Sequence, residues 1–279
     1  MPDSIPGDDT PDFDWNWSDD DTGWVPPGID PSKPSTARMY DYALGGKDNF
    51  AVDREALDHI TTVYPVRPVA LANRGFLLRA VKVIAESGVR QFLDLGSGIP
   101  TSPSVHEVVR AVQPDATVVY VDNDPIVIAH TRARRSVMPG VITLEGDVRD
   151  PEEILNAPAL RRAVDFSQPV ALLFAAVLHF VRPERAPEIV ARFRSELAPG
   201  SFVVMSLMST EGMTEEDLKL GDAAYERASS PLYLRTRAQI ERLFEGLEIL
   251  EPGVVNTPKW RADEEEPFGR VLAGVGRVV

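Results

Sequence analysis

Three aspartates stand where a chain of alternating strands and helices would carry them to one edge of a sheet. Asp94 lies in Phe92-Leu93-Asp94-Leu95-Gly96-Ser97-Gly98-Ile99-Pro100, an apolar run that breaks into Asp-x-Gly-x-Gly. Glycines let the backbone approach a ligand closely, and a helix starting just beyond adds positive potential. Asp122 closes the next apolar run, Val119-Tyr120-Val121, where a carboxylate can accept both hydroxyl protons of a ribose. Asn123 follows it, and Asp124-Pro125 reads as a helix cap and first turn. Asp147 and Val148 follow the third run, where a side-chain acceptor beside a backbone N–H suits the edge of an adenine. His179, in Ala176-Val177-Leu178-His179-Phe180, ends the fourth run, where an imidazole could take a proton from a hydroxyl or amine or brace the strand end.

The details select among ligands. A dinucleotide fingerprint needs a third glycine where Thr101 stands, and an acid two residues before the first glycine would repel a pyrophosphate. Asp94 suits a ligand with a cationic end, and S-adenosylmethionine, with its ammonium and sulfonium, is one. The alternatives are an ordinary strand–turn–helix corner at the glycines, and a cap or metal pair at Asp122 and Asp124. No third clustered ligand supports a metal, so none is expected.

Elements that could hold these residues are legible in the periodicity. Strands are predicted over Gln91–Leu95, Thr117–Val121, Val141–Glu145, Val170–Val177, Ser201–Leu207, Leu247–Val255 and Arg270–Val278. Helices are predicted between most of them, over Ser104–Val112, Pro125–Ser136, Pro151–Ala163, Arg185–Leu197 and Thr236–Phe244. Ser104 and Glu107 give the first of these a capping-box spacing. This alternation argues for right-handed βαβ units, a mostly parallel sheet and a closing antiparallel hairpin. Two helices precede it, one from about Asp53 and one from Pro68 to Ser87, whose stripe includes Val69, Ala72, Phe76, Ala80 and Ile84. Residues 36–50 mix aromatics with a Gly-Gly-Lys turn.

Composition sets the outer bounds. The 279 residues suit one large domain or two small ones. No cysteine is present, which excludes a disulfide scaffold, a thiolate zinc site, an iron–sulfur cluster and a thiolate nucleophile. Residues 1–35 hold nine Asp against one Lys, more than half of the net charge of −14, and read as a flexible acidic leader in which Trp15, Trp17 and Trp24 could dock. No apolar run is long enough to span a bilayer and no secretory signal is visible, so a cytoplasmic location is expected, with no membrane partner. The acidic balance argues against nucleic acid, and Arg132, Arg134 and Arg135 read as a solvated helix face. Oligomeric state is not legible.

Several blocks carry a resemblance: PSTARMYDYALGGKDNF, NRGFLLRAV, RQFLDLGSGIPTSPSVHEV, VVYVDNDP and RTRAQIERLFEGLEILEPGVV. Over about residues 32–279 the chain resembles class I S-adenosylmethionine-dependent methyltransferases, and within them a largely actinobacterial family formerly catalogued as a domain of unknown function. The resemblance implies an α/β fold with a Rossmann-like, seven-stranded, mostly parallel sheet and an N-terminal helical lid. The lid would be residues 36–88 and the core 89–279, with an insertion around 210–234. Gly96 and Gly98 would pass under the methionine moiety, Asp94 would sit near its ammonium, Asp122 with Asn123 would hold the ribose, and Asp147 with Val148 would meet the adenine. Pro100 departs from the broader pattern, which has a third glycine there.

Arg38, Tyr40, Lys47 and Asn49 are candidates for a lid over the cofactor. Arg74 is either a partner of the methionine carboxylate, a bidentate role that suits guanidinium, or a solvated neighbour of the apolar stripe. His106 could face the cofactor tail or hold a surface or capping position. The acceptor is narrowed by what is missing: the fourth strand carries no Asn/Asp-Pro-Pro-aromatic clamp for amino-adenines, and no thiolate is present for cytosine C5. A small-molecule acceptor is expected, with Tyr225 and Tyr233 as candidate pocket residues. Two other classes stay open: a non-catalytic S-adenosylmethionine-binding or regulatory protein, and an NAD(P)-dependent oxidoreductase.

Overall fold

The strands that carry the three aspartates run side by side. In the computed structural model, which describes residues 29–62, 64–135, 138–214, 230–262 and 270–279, one sheet organises the chain. Its strands are β1 (Gln91–Leu95), β2 (Thr117–Asp122), β3 (Val141–Glu145), β4 (Ala171–Ala175), β5 (Phe202–Met208), β6 (Glu248–Ile249), β7 (Val255–Asn256) and β8 (Val271–Arg277). They lie in the order β3-β2-β1-β4-β5-β8-β6, with β7 also paired to β8, and only β8 runs against the others. Asp94 pairs with Tyr120 and Asp122 with Glu145, so β1, β2 and β3 end along one rim.

Alternation along each strand feeds two cores, as expected for a sheet covered on both faces. Leu93, Leu95, Val119, Val121, Leu172 and Phe174 face one side, against α6 (Pro151–Asn156), α7 (Pro158–Ala163), α8 (Ala186–Arg194) and α9 (Arg237–Arg242). Phe92, Val118, Tyr120, Ala171 and Leu173 face the other, where α3 (Val66–Glu86) brings Phe76, Val81 and Ile84 and α4 (Val105–Val112) brings Val109. The fifth helix in chain order, α5 (Pro125–Arg135), follows β2.

Two predicted elements break where prolines sit. The single strand over Leu247–Val255 becomes β6 and β7, separated by Pro252 and by Gly253 at φ +89°. Both pieces pair with β8, so eight strands occupy the expected seven positions. The helix over Pro151–Ala163 divides at Ala157, which is extended before Pro158, as the residue preceding a proline prefers.

Sequence reading gives no helix before Asp53, yet α1 spans Thr36–Ala43 and precedes α2, Ala51–Thr61. Its buried positions include Arg38 and Asp41, so no apolar stripe announces it. Their charge is satisfied internally. Asp53, fully buried, accepts from Arg38 Nε at 2.6 Å and from the backbone N–H groups of Ser35 and Phe50, both at 2.8 Å. Asp41 accepts from Asp48 N at 3.0 Å and Asn49 Nδ2 at 2.8 Å. Met39, Ala43, Leu57, Ile60 and Ala70 then form a small core among the three helices.

The folded body begins before residue 36. Ile29 packs against Ile99, Ile126 and Val127, and Ser35 Oγ donates to Asp124 Oδ2 at 2.6 Å. The expected leader therefore extends too far by at least residues 29–35. Its Trp15, Trp17 and Trp24, most of the insertion with Tyr225, and the side chains of Arg134 and Arg135 lie outside the described residues. No described helix is long and apolar enough to cross a membrane.

Candidate functional site

A cavity of about 530 Å³ opens at the C-terminal ends of β1 to β5, with α1, α3 and residues 29–35 along its other side. Such a rim, where the connections lie, is the usual ligand position in open α/β sheets. Tyr40, Arg74, Asp94, Gly96, Gly98, Asp122, Asn123, Asp147, Val148 and His179 all line it, although their sequence positions span most of the chain.

The glycine turn is fixed by sterics. Gly96 and Gly98 adopt φ of +73° and +65°, a region costly for other residues. A Cβ on Gly96 would also stand 2.3 Å from Val177 Cγ2, so this glycine lets the β1 and β4 loops meet. At Gly98 nothing lies within 4 Å of an added Cβ, and its backbone borders the cavity. Val121 O receives the N–H groups of Gly96 and Ser97, at 2.8 and 3.1 Å.

Asp122 ties that turn to β2. Its Oδ2 accepts from Gly98 N at 2.8 Å and its Oδ1 from Asp124 N at 3.0 Å. Burial pushes its pKa up to about 6, with the Asp124 charge acting in the same direction and the N–H donors opposing. Asp124 caps α5 by accepting from Ile126 N at 2.9 Å, the role expected of it. Asn123 Nδ2 reaches across to Asp147 Oδ2 at 3.0 Å, joining the ends of β2 and β3. Burial alone would raise Asp147, but hydrogen bonds from Arg149 and Asn123 hold it below the ordinary carboxylate range. Arg149 grips both Asp147 oxygens through Nε, at 2.9 and 3.0 Å. Asp94 is buried at the end of β1.

The lid contributes a polar corner. Tyr40 OH donates to Ala70 O at 3.2 Å and accepts from Asn73 Nδ2 at 3.0 Å, and burial raises its pKa. Asn73 is buried and borders the cavity, and its Oδ1 has no hydrogen-bond partner. Arg74 Nη2 donates to Thr101 O at 3.0 Å and to Pro103 O at 2.6 Å, pinning the loop beyond the glycines. That spends one of the two nitrogens of the expected bidentate clamp, while the buried Nε is without a partner. Lys47 is exposed and does not line the cavity, because the turn wraps inward around Asp41 and leaves residue 47 on its outer side. Asn49 is likewise engaged with Asp41 and Arg54.

His179 sits in a single 3₁₀ turn, Leu178–Phe180, just beyond Ala176, whose φ of +56° marks a strained strand end. Its Nδ1 accepts from Met208 N at 3.5 Å and its carbonyl from Tyr233 N at 2.7 Å. Burial, aided by the Arg235 charge, pushes its pKa down to about 3. Arg235 is buried beside it, donates to Val181 O at 2.7 Å and Tyr233 O at 3.2 Å, and is itself lowered to about 10 by burial. Tyr233 does not line the cavity. The extended backbone there turns Leu232 and Leu234 to it instead. His106 is neither at the surface nor in the cavity. It is buried between Ser104 Oγ at 2.9 Å and Tyr120 OH at 3.0 Å from Nδ1.

Sequence reading missed Asn73, Arg149, Arg235 and Arg270. Asn73 carries a signal, since it interrupts the apolar stripe of α3 at a buried position. Arg235 carries none, because its partner Val181 lies 54 residues away.

Relatives share this architecture. The chain matches the family described as S-adenosyl methyltransferase over residues 22–278. A candidate methyltransferase of Thermobifida fusca is 42% identical, with a TM-score of 0.84 over 92% of this chain and 99% of that one. A DUF574-family protein of Streptomyces avermitilis is 40% identical, with a TM-score of 0.83 over 90% and 99%. None of the curated proteins matches it. With this fold and these relatives, the chain belongs to the S-adenosyl methyltransferase family, and S-adenosylmethionine is its cofactor.

Proposed function

We propose that this protein moves a methyl group from S-adenosylmethionine to a small-molecule acceptor by in-line displacement. The observation that carries the reading is the pair of buried, unpartnered polar atoms in the lid corner. Asn73 Oδ1 is an acceptor and Arg74 Nε a donor, both on residues that border the cavity. A buried polar atom without a partner costs about 1–3 kcal/mol, so a ligand that satisfies both is favoured. An amino acid's ammonium and carboxylate are complementary to that pair. Asp122 offers its carboxylate to ribose hydroxyls, and Asp147 with the backbone of Val148 offers an acceptor and a donor to a base edge.

The bound cofactor supplies an electrophilic methyl carbon on a sulfonium. The chain's own part is positioning and exclusion of water, which can provide much of the rate of such a transfer. His179 is neutral at physiological pH. With Nδ1 accepting from Met208 N, the ring proton resides on Nε2, so the imidazole is a donor that can orient an acceptor heteroatom. A strong proton-accepting role is not supported by so low a pKa.

Calorimetric titration with S-adenosylmethionine and S-adenosylhomocysteine tests the reading. Asn73→Ala should weaken both by about tenfold while leaving the melting temperature of the free protein unchanged or higher. Unaltered affinity would remove the amino-acid end from this corner. Release of S-adenosylhomocysteine across a panel of acceptors then separates turnover from binding alone.

A further inference from the structure

The carboxylate that faces the base edge already has its donors. Asp147 Oδ1 accepts from the backbone N–H of Arg149 at 2.9 Å and from its Nε at 2.9 Å. Oδ2 accepts from Asn123 Nδ2 at 3.0 Å, from Arg149 Nε at 3.0 Å and, closely, from Arg149 Nη2. An ionised carboxylate has about four acceptor positions, so a further donor can enter only where one of these leaves. The three kinds of donor are held differently. The backbone N–H belongs to the turn that follows β3, and Asn123 makes a single bond from the end of β2. The guanidinium supplies three of the five contacts, yet it does so over a side chain that is 52% exposed and borders the cavity. Such an exposed pair contributes little net stability, because ordering the long arginine offsets most of the attraction. It is the donor with both the room and the least to lose on leaving.

Resting on the reading of Asp147 as acceptor for the cofactor's base, we propose that Arg149 tunes cofactor affinity at that position: its guanidinium stands in for the base's amino group and competes with it for the Asp147 oxygens. The exchange is donor for donor. A base that presents an amino group replaces the N–H bonds that the guanidinium gives up, so the net gain is the difference between the two. A base without that group has nothing to exchange, and Arg149 stays on Asp147 while it binds. The arginine therefore lowers what the amino group contributes, and it loosens S-adenosylmethionine and S-adenosylhomocysteine alike, which eases release of the product.

The probes are S-adenosylhomocysteine and its analogue with hydrogen in place of the 6-amino group, titrated calorimetrically into the full chain. Arg149→Met keeps much of the side chain's length and removes its donors. It should tighten S-adenosylhomocysteine about two- to fivefold, the range an exposed ion pair is worth, while the analogue stays within about 1.5-fold. Asp147→Ala should bring the two ligands to equal affinity. S-adenosylhomocysteine bound no more tightly by Arg149→Met, or an analogue that tightens as much, would overturn the proposal. A preference for S-adenosylhomocysteine that survives Asp147→Ala would instead remove Asp147 as the base's acceptor, and with it the ground for the proposal. Loss of that preference in Asp147→Ala, with no change in Arg149→Met, would leave the acceptor in place and remove the competitor alone.

Discussion

The two ends of the cavity are made in different ways. The β1–β3 end is assembled from strand-to-helix turns, each local in sequence and each stopped by an Asp or Gly that the turn itself requires. Gly98 N, Asp122 and Asp124 N are linked through one carboxylate, and Asp122 and Asp147 are joined to neighbours within two residues or one strand. The β4–β5–β8 end is assembled from segments far apart: the turn at His179, the end of β5, residues 230–234 and Arg270. Its contacts are between backbone carbonyls and distant donors, as where Arg235 meets Val181 O. A polar, local end suits a ligand shared by many proteins, whereas an apolar, composite end can change its occupant without disturbing the other.

Substitutions at the two ends should therefore separate cofactor from acceptor. The largest effect is expected from Asp122→Ala. It would remove the acceptor proposed for two ribose hydroxyls, each such charge-assisted bond being worth roughly 1.5–3 kcal/mol, and it releases the N–H of Gly98. Calorimetry should show S-adenosylhomocysteine binding at least about a hundredfold weaker. Leu234→Ala, by contrast, should leave that affinity within twofold, and an equal loss in both variants would merge the two ends into one site.

Gly96→Ala comes next and probes the seam between them. The new methyl would overlap Val177 at a position already held at φ +73°. Overpacking and left-handed strain together should cost about 2 kcal/mol or more of stability, read as a lowered denaturant midpoint. Gly98→Ala carries the conformational penalty without the overlap, so it should cost less, and a reversed order would show that Val177 yields.

Proton linkage gives a smaller and more selective effect. Asp122 is raised from 3.8 to about 6, so the ligand-free fold takes up a proton between those values. The stabilising contribution of this group is full below pH 3.8 and is lost as pH rises through 6. On the proposed reading, cofactor binding has the opposite sign, because ribose hydroxyls and a cationic ligand would favour the carboxylate. Affinity should fall by about tenfold per pH unit below pH 5 and level off above 7. Asp122→Asn should flatten the profile.

This contrast also explains what the sequence makes legible. Asp94, Gly96, Gly98, Asp122 and Asp147 could be picked out because turn chemistry leaves a local signature, and β1 and β3 match their predicted bounds. The helix α1 could not, because Arg38 and Asp41 occupy its buried face and their partners, Asp53 and Asn49, lie in later segments. The same reason hides Arg235 and Arg270, whose neighbours are set by strand order. The proline breaks at Pro158 and Pro252 were visible as residues, but the outer runs of periodicity masked them.

Lys47 provides the smallest expected effect and the sharpest check on the lid. Its charge in a Gly-Gly-Lys turn makes it an attractive partner for an anionic ligand group. Yet the turn is organised by Asp41, which receives Asp48 N and Asn49 Nδ2, and a Cβ on Gly46 would lie 2.0 Å from Asp41 Oδ1. Glycine at 46 and the inward hydrogen bonds are therefore structural, and the lysine is the exposed residue between them. Lys47→Ala should change stability by no more than about 0.5 kcal/mol and leave S-adenosylhomocysteine affinity within twofold. Asn73→Ala, on the cavity face of the same lid, should weaken it by about tenfold. A larger loss from Lys47→Ala would mean that the turn closes over the cofactor, and the boundary between the lid's structural and ligand-binding residues would have to be redrawn from Asn73 outward.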